Sequence, residues 1–362
     1  MSNRSSIEAL TGVRALAAWW VVLFHASKSG LSELLGPLKT VLEPLTSAGY
    51  IGVDLFFILS GFVIAYNYAD TFREGIEGKA YLRFLWLRLA RLYPVHLFGL
   101  LLLALILILS QALRLPLNHA YSADAFLRHV ALIHAWYTNE QSWNYPAWSI
   151  SHEWLAYILF PALMLLFRRI KRPLSQAVLI LVLLLAMPAL VVGYRVEISR
   201  ILCEFPAGCL LCALFRQNLG AGIRWQHFEW PLLLLLLGFA MVVERFSPGA
   251  AVSSALLAAL LLYALSWQRG SLSRLLARKG MMFWGKVSYS LYMTHAIVDM
   301  ILNKAFPLAL RHLPAWGKPG LALCYFAAIA GMAIFTYRFI EVPARVWMCA
   351  RGERKKKEVF AP

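Results

Sequence analysis

Two polar residues in the first apolar stretch of the chain, IEALTGVRALAAWWVVLFHAS (7–27), are candidates for chemistry: Arg14 and His25. On an α-helix their spacing places both side chains on one face, roughly 16 Å apart along the axis. A guanidinium binds anions, and an imidazole can accept a proton near neutral pH. Such groups inside a membrane helix are functional candidates by default. The structural alternative is a snorkelling anchor at Arg14 and an interfacial histidine at His25.

A carboxylate in the second apolar stretch, GVDLFFILSGF (52–62), is a candidate partner for that histidine. We expect Asp54 to lie near the outer level of His25, where it could orient the ring and stabilise the imidazolium. The alternative is a helix N-terminal cap. Ser60 is a candidate substrate contact, although serine beside glycine in mid-span more often marks close helix packing.

Two arginines in KAYLRFLWLRLARLYP (79–94) could bind a phosphate group. If this segment is helical, Arg88 and Arg91 share a face, so that their guanidinium groups can converge on one ligand. Ordinary positive-inside anchoring is the alternative.

Three further candidates come from WSISHEW (148–154) and SYSLYMTH (288–295). Glu153 begins a span at the outer surface beside Trp148, and it could position a hydroxyl or polarise the histidine; a first-turn acid of the capping type is the alternative. Tyr292 and His295 can share a helix face, where we favour a core hydrogen-bond network over a second site histidine. Glu341, late in the last span, is predicted to pair with a nearby arginine, Arg338 or Arg345.

The elements that position these residues are predicted to be membrane helices. Apolar residues make up 60% of the 362 residues and charged residues 15%, which excludes a soluble globular domain and a disordered chain. We predict an all-α polytopic integral membrane protein with about ten transmembrane helices. Segment 121–137 is too short and polar for a span and is predicted to be an external, partly helical loop. The spans lie at roughly 7–27, 51–68, 93–111, 147–167, 174–193, 198–215, 229–244, 249–267, 281–303 and 320–343.

The basic residues predict the orientation of these spans. Lys and Arg concentrate in alternate connecting segments, such as RRIKR (168–172), so both termini are predicted to be cytoplasmic. We expect a transmembrane domain over 1–345 and a basic tail over 346–362. The net charge of +17 lies mainly at helix ends, which argues against nucleic-acid binding and favours contact with membrane lipids. The five cysteines have no disulfide or zinc spacing, so no metal is expected.

Taken in order, these motifs resemble those of the acyltransferase-3 family, membrane-bound O-acyltransferases that modify extracytoplasmic carbohydrates. The matching residues are Arg14 and His25, GVDLFFILSGF (52–62), Arg88 and Arg91 before Leu-Tyr-Pro, WSISHEW (148–154), SYSLYMTH (288–295), and Glu341-Val-Pro. The resemblance implies about ten transmembrane helices, an acyl-CoA donor taken from the cytoplasm, and His25 as the essential histidine. It also implies a multi-pass protein of the bacterial inner membrane.

We therefore predict an O-acyltransferase, by preference an O-acetyltransferase using acetyl-CoA. It would acylate a hydroxyl of a lipid-linked or exported saccharide. His25 would remove the hydroxyl proton while Asp54 or Glu153 holds the ring, and an acyl-histidine intermediate is the alternative chemistry. Arg14, Arg88 and Arg91 would bind the donor. The acceptor site would be lined by Trp148, Ser60, Tyr292 and His295.

Two rival functions stay open at this point. The first is a transporter or flippase in which the buried charges form a substrate or proton path. The second is an enzyme of the same fold that acylates a lipid or a small hydrophobic alcohol. The acceptor sugar, the acyl group and the formation of a homo-oligomer are left undetermined by the sequence.

Overall fold

A computed structural model of the protein describes residues 6–28, 38–114, 121–136, 143–193, 197–247, 250–312 and 317–359. Within these ranges the chain forms helices and turns without a strand. The α-helices are α1 Glu8–Lys28, α2 Leu38–Ser47, α3 Gly52–Tyr68, α4 Gly78–Ala112, α5 Ala123–Val130, α6 Trp148–Phe167, α7 Pro173–Pro188, α8 Ile198–Arg216, α9 Glu229–Phe246, α10 Ala255–Ser266, α11 Ser271–Leu276, α12 Lys279–His312, α13 Lys318–Thr336 and α14 Val342–Val359.

Seven helical stretches of the described residues are long and apolar enough to cross a membrane. Helices suit this environment because they satisfy every backbone polar group internally. Together with further apolar helices, these stretches confirm the prediction of an all-α polytopic membrane protein. The seven are Glu8–Lys28, Leu42–Phe72, Gly78–Ala112, Tyr145–Phe167, Pro173–Val192, Ile198–Arg216 and Pro319–Arg351, and a shorter apolar helix is Val252–Ser266.

Two predicted spans differ from the observed helices. The third span was expected over 93–111, but α4 begins at Gly78 and continues through Pro94, so the basic segment before the span is part of the same helix. The last span is interrupted by a π-helical turn at Tyr337–Glu341, directly before Pro343. Proline cannot donate a backbone hydrogen bond, which favours such a widened turn. Beyond it α14 extends to Val359 through most of the predicted tail.

The loop predicted over 121–137 contains one helix, α5, as expected for a partly helical segment. Ser122 caps this helix, because its hydroxyl accepts a hydrogen bond from the backbone N–H of Ala125 at 3.1 Å. The loop is thereby folded locally over its described residues.

The chain divides into two compact units, one formed by Met1–Gly75 with Phe160–Ser288 and the other by Ile76–Leu159 with Tyr289–Pro362. In the first unit α3 and α8 pack at very short range through glycines. A Cβ atom on Gly61 would lie 2.0 Å from the carbonyl oxygen of Phe205, and one on Gly208 would lie 2.0 Å from that of Ile58. Small residues of this kind allow two membrane helices to bring their backbones together.

Helix α1 meets the first residue of α3 and the 3₁₀ turn before it in the same way. A Cβ atom on Gly49 would lie 2.3 Å from the carbonyl oxygen of Trp20, and one on Gly52 would lie 2.5 Å from that of Ala17. From Gly49 to Gly52 the contacted residue changes from Trp20 to Ala17, which is earlier in α1. The two segments therefore run antiparallel. These contacts fix the register of α3 against α1.

In the second unit, side-chain hydrogen bonds to backbone carbonyls connect helices that are distant in sequence. The Trp86 indole on α4 donates to the carbonyl oxygen of Met348 on α14 at 2.9 Å. The Asn144 amide donates to the carbonyl oxygen of Met293 on α12 at 3.0 Å. These two hydrogen bonds give the Trp86 indole and the Asn144 amide partners within the unit.

Candidate active site

Arg14 and His25 lie on the single uninterrupted helix α1, so the predicted common face is present. Arg14 is half-buried, and its Nε donates to the Ser288 hydroxyl at 3.4 Å. Its guanidinium also lies 5.8 Å from the ring centroid of Phe56 on α3. His25 is half-buried in the last turn of α1, with its ring edge-on to Phe24. One face of α1 thus carries a cation and an imidazole about 16 Å apart.

Asp54 is fully buried and forms an ion pair with Arg200 of α8. The Nε and Nη2 atoms of Arg200 donate to Asp54 Oδ1 at 2.9 Å and 2.8 Å, and Nη2 also reaches the carbonyl oxygen of Tyr50 at 3.3 Å. The Arg200 side chain is itself 5% exposed, so water contributes little to the solvation of either charge. A buried pair of this kind is stable only while both partners are present.

A second carboxyl group, that of Glu204, adjoins this ion pair. Glu204 is fully buried and interacts electrostatically with Asp54 and Arg200. Among the described residues, neither Glu204 oxygen has a hydrogen-bond partner that meets normal distance and angle limits. The cluster therefore contains two buried carboxyl groups and one guanidinium.

Sequence reasoning did not single out Arg200 or Glu204 as members of a cluster. A signal was nevertheless present, because an arginine and a glutamate four residues apart in one apolar helix share a face and are costly to bury alone.

The contacts between α1 and α3 give the position of Asp54 relative to His25. Gly49 adjoins Trp20 and Gly52 adjoins Ala17, and the run is antiparallel, so Asp54 lies about two helical turns from His25 along α1. The prediction that Asp54 and His25 lie at the same membrane depth is therefore wrong. Ser60 lies one and a half turns further along α3 and is half-buried.

In the second unit, Arg91 of α4 forms an ion pair with Glu341 of the π-helical turn. Glu341 is 1% exposed, and its other carboxylate oxygen accepts a hydrogen bond from the Ser290 hydroxyl at 2.7 Å. The predicted local pairs of Glu341 with Arg338 or Arg345 are wrong, since its ion pair among the described residues is with an arginine 250 positions away.

The guanidinium of Arg91 also lies over the Tyr289 ring, 5.1 Å from its centroid. Arg88, one turn earlier on the same helix, is half-buried with its guanidinium 5.9 Å from the Phe84 ring centroid. The two arginines share a helix, as the spacing predicted, and a buried carboxylate holds Arg91.

The start of α6 presents Trp148 and Glu153. The Trp148 ring packs edge-on against His152, with ring centroids 5.4 Å apart. Glu153 is half-buried and accepts a hydrogen bond from the Tyr157 hydroxyl one turn later. Tyr157 thus fixes one oxygen of the predicted catalytic carboxylate.

Tyr292 and His295 are buried in a polar network on α12. The Tyr292 hydroxyl and the Ser149 hydroxyl are 2.7 Å apart, and Tyr292 also donates to the carbonyl oxygen of Pro146 at 3.0 Å. His295 Nδ1 lies 2.7 Å from the carbonyl oxygen of Tyr292, and its ring is edge-on to Tyr145. This is the core hydrogen-bond network that the spacing favoured.

Three imidazoles stack beside this network, where α5 and the turn after it meet α4. The His129 and His134 rings are nearly parallel with centroids 3.6 Å apart, and the His96 ring lies about parallel to both. All three are buried. Burial lowers the pKa of His134 to about 2, and repulsion from the neighbouring histidines adds to the shift. Over the residues that the structure covers, no group of His, Cys, Asp or Glu side chains could hold a metal ion.

Comparison with known proteins identifies the family. A family model described as an acyltransferase domain matches residues 7–338. The chain is 30% identical over 169 residues to the acyltransferase MdmB of Streptomyces mycarofaciens, covering 45% of this chain and 41% of that protein. It is 25% identical to the O-acetyltransferase OatA of Staphylococcus aureus, covering 93% of this chain and 57% of that protein.

The chain spans about half the length of the curated relatives it matches. No solved structure matches it. The family match covers nearly the whole chain, including the helices that carry Arg14, His25, Asp54, Arg88, Arg91, Glu153 and His295. The chain therefore belongs to the acyltransferase-3 family of membrane acyltransferases.

Proposed function

We propose that the protein is a membrane O-acetyltransferase that moves an acetyl group from cytoplasmic acetyl-CoA to a hydroxyl of an exported or lipid-linked saccharide. The observation that carries this proposal is the common face of α1, which joins the Arg14 guanidinium to the His25 imidazole. The span between them, about 16 Å, suits an extended pantetheine arm whose phosphate end lies near the arginine. The family membership and the O-acetyltransferase relatives agree with acyl transfer.

In this mechanism His25 acts as the general base. The acceptor oxygen attacks the thioester carbonyl carbon while the imidazole removes its proton, and the coenzyme A thiolate leaves and takes up a proton. Glu153 is the candidate carboxylate for orienting the ring, since Asp54 lies about two helical turns from His25 along α1. Arg88 and Arg91 supply guanidinium groups for the donor phosphates. The ion pair with Glu341 holds the Arg91 side chain in place on α4.

Release of free coenzyme A tests the proposal. Purified protein in nanodiscs is given acetyl-CoA with and without a cell-envelope polysaccharide, and wild type is compared with His25→Ala. General-base catalysis contributes roughly 10²–10⁴-fold, so we expect acceptor-dependent release to fall by about that factor. His227→Ala is the matched control, because His227 is exposed in the turn before α9 and is expected to keep wild-type activity.

Each result has a defined meaning. Wild-type release by His25→Ala in correctly folded protein would overturn the role of His25. A stoichiometric burst of coenzyme A without acceptor would replace direct attack by an acyl-histidine intermediate. Absence of release from folded wild type with several acyl donors and acceptors would favour the transporter function.

A further inference from the structure

A cavity of about 410 Å³ lies within the first unit, where α3, α6, α7 and α8 have their ends. Sites for small molecules commonly measure roughly 300–1,000 Å³, so this cavity is large enough for a ligand of several atoms. Its walls belong to the turn after α3, to the end of α6, to the connection and first turn of α7 that follow, and to the end of α8. None of the predicted site residues lines it.

The described residues that line the cavity include four cations and one carboxylate. The carboxylate, Asp70, already pairs with one cation, because Nη2 of Arg216 donates to its two oxygens at 2.7 Å and 3.0 Å. Apart from this ion pair, the described lining residues include three positive side chains and no further carboxylate. They are Arg73, Arg168 and Lys171.

Hydrogen bonds connect the segments that carry these cations. Arg168 Nη1 donates to the backbone carbonyl of Arg73 at 3.2 Å, which joins the end of α6 to the turn after α3. Gln176 is 4% exposed; its amide donates to the carbonyl oxygen of Ile170 at 2.7 Å and accepts from Gln217 at 2.9 Å. Hydrogen bonds between neighbouring segments therefore hold the polar side of the cavity together.

We propose that this cavity binds a phosphate-bearing anion. Like charges converging on a concave surface repel one another unless an anion lies between them, and guanidinium groups match phosphate oxygens in geometry. The apolar walls contributed by Met164, Phe167 and Ile170 suit the organic part of such a ligand. The phosphate can come from a soluble nucleotide-type compound or from the headgroup of an anionic phospholipid. The proposal goes beyond acyl transfer, since the cavity residues take no part in the reaction described above.

The test compares a cavity variant with a matched control in the full-length protein. Arg73→Gln/Lys171→Gln removes two lining cations. Arg169→Gln/Arg172→Gln removes two exposed cations of the α6–α7 connection, the segment of Lys171, and neither of them lines the cavity. The variants have equal net charge, so a difference between them reports the cavity and not the overall field.

Two arms separate the sources of the phosphate. In phosphatidylcholine nanodiscs, calorimetry measures the binding of inorganic phosphate, which lacks the pantetheine arm of the acyl donor. In nanodiscs that also contain phosphatidylglycerol, native mass spectrometry counts the anionic lipids retained by the protein. We expect the cavity variant to bind at least tenfold more weakly than the control in one arm, and that arm identifies the source. Because binding is measured without turnover, a protein inactive in acyl transfer still tests the cavity.

Wild-type binding by the cavity variant in both arms would overturn the proposal. An equal loss in the cavity variant and the control would also overturn it, since binding would then follow surface charge in general. Circular dichroism of each variant verifies the helical fold, and both pairs of substitutions affect exposed side chains.

Discussion

The buried ion pair of Arg200 and Asp54 makes the first unit sensitive to one substitution. Arg200→Met keeps most of the side-chain length but removes the nitrogens that donate to Asp54 Oδ1 at 2.9 Å and 2.8 Å. The Asp54 carboxylate, which is fully buried, would then be uncompensated. Breaking a buried pair by removing one partner costs about 3–5 kcal/mol, so we expect Arg200→Met to lower the free energy of unfolding by about that amount.

A second substitution tests the physical reason. Asp54→Asn removes the negative charge that Arg200→Met leaves behind, so the double variant is expected to be more stable than Arg200→Met alone. Arg216→Met is the matched control on the same helix. Arg216 pairs with Asp70, but these side chains are 31% and 52% exposed, and we expect a loss of about 0–1 kcal/mol.

The assay is reversible unfolding in mixed detergent micelles with increasing dodecyl sulfate, followed by circular dichroism and tryptophan fluorescence. Arg200→Met unfolding at the same detergent ratio as Arg216→Met would refute the reasoning. So would a double variant whose loss is the sum of the two single losses, because the two residues would then be energetically independent.

Two further predictions concern other parts of the chain. Gly208→Ala places a Cβ atom 2.0 Å from the carbonyl oxygen of Ile58, so we expect a loss of about 1–3 kcal/mol or more by thermal unfolding; Gly238→Ala, with no atom within 4 Å, should be neutral or slightly stabilising. The pKa of folded His134 is about 2, so below an unfolded pKa of about 6.5 the unfolded chain alone takes up a proton. Stability should therefore fall by about 1.4 kcal/mol from pH 7.5 to pH 5.5, and His134→Phe should lose this part of the pH dependence; identical profiles would contradict it.

The membrane helices could be predicted from the sequence because long apolar runs have few other stable structures in a bilayer. The first span was expected over 7–27, and α1 is Glu8–Lys28. Hydropathy locates the part of a helix that crosses the membrane, however, and not the helix itself. For that reason it missed the start of α4 at Gly78, where a basic segment continues the same helix out of the apolar region.

Pairs of charged residues could not be predicted, because a single sequence carries no information on which distant helices meet. Glu341 had two arginines at helical spacing, yet its ion pair is with Arg91, 250 positions away. Arg200 and Asp54 are 146 positions apart. In each case the local alternative was physically reasonable, and helix packing determined the actual partner.

The register between α1 and α3 bears on the chemical role of Asp54. A carboxylate that orients a histidine accepts a hydrogen bond from its ring at about 2.6–3.2 Å. The Gly49 and Gly52 contacts place Asp54 about two turns from His25 along α1, and Arg200 engages its Oδ1. We therefore expect Asp54 to anchor α8 to α3 rather than to orient the ring. Arg200→Met/Asp54→Asn should then lose much less acyl transfer than the roughly 10²–10⁴-fold expected for His25→Ala. An equal loss in folded protein would instead make Asp54 the partner of the histidine.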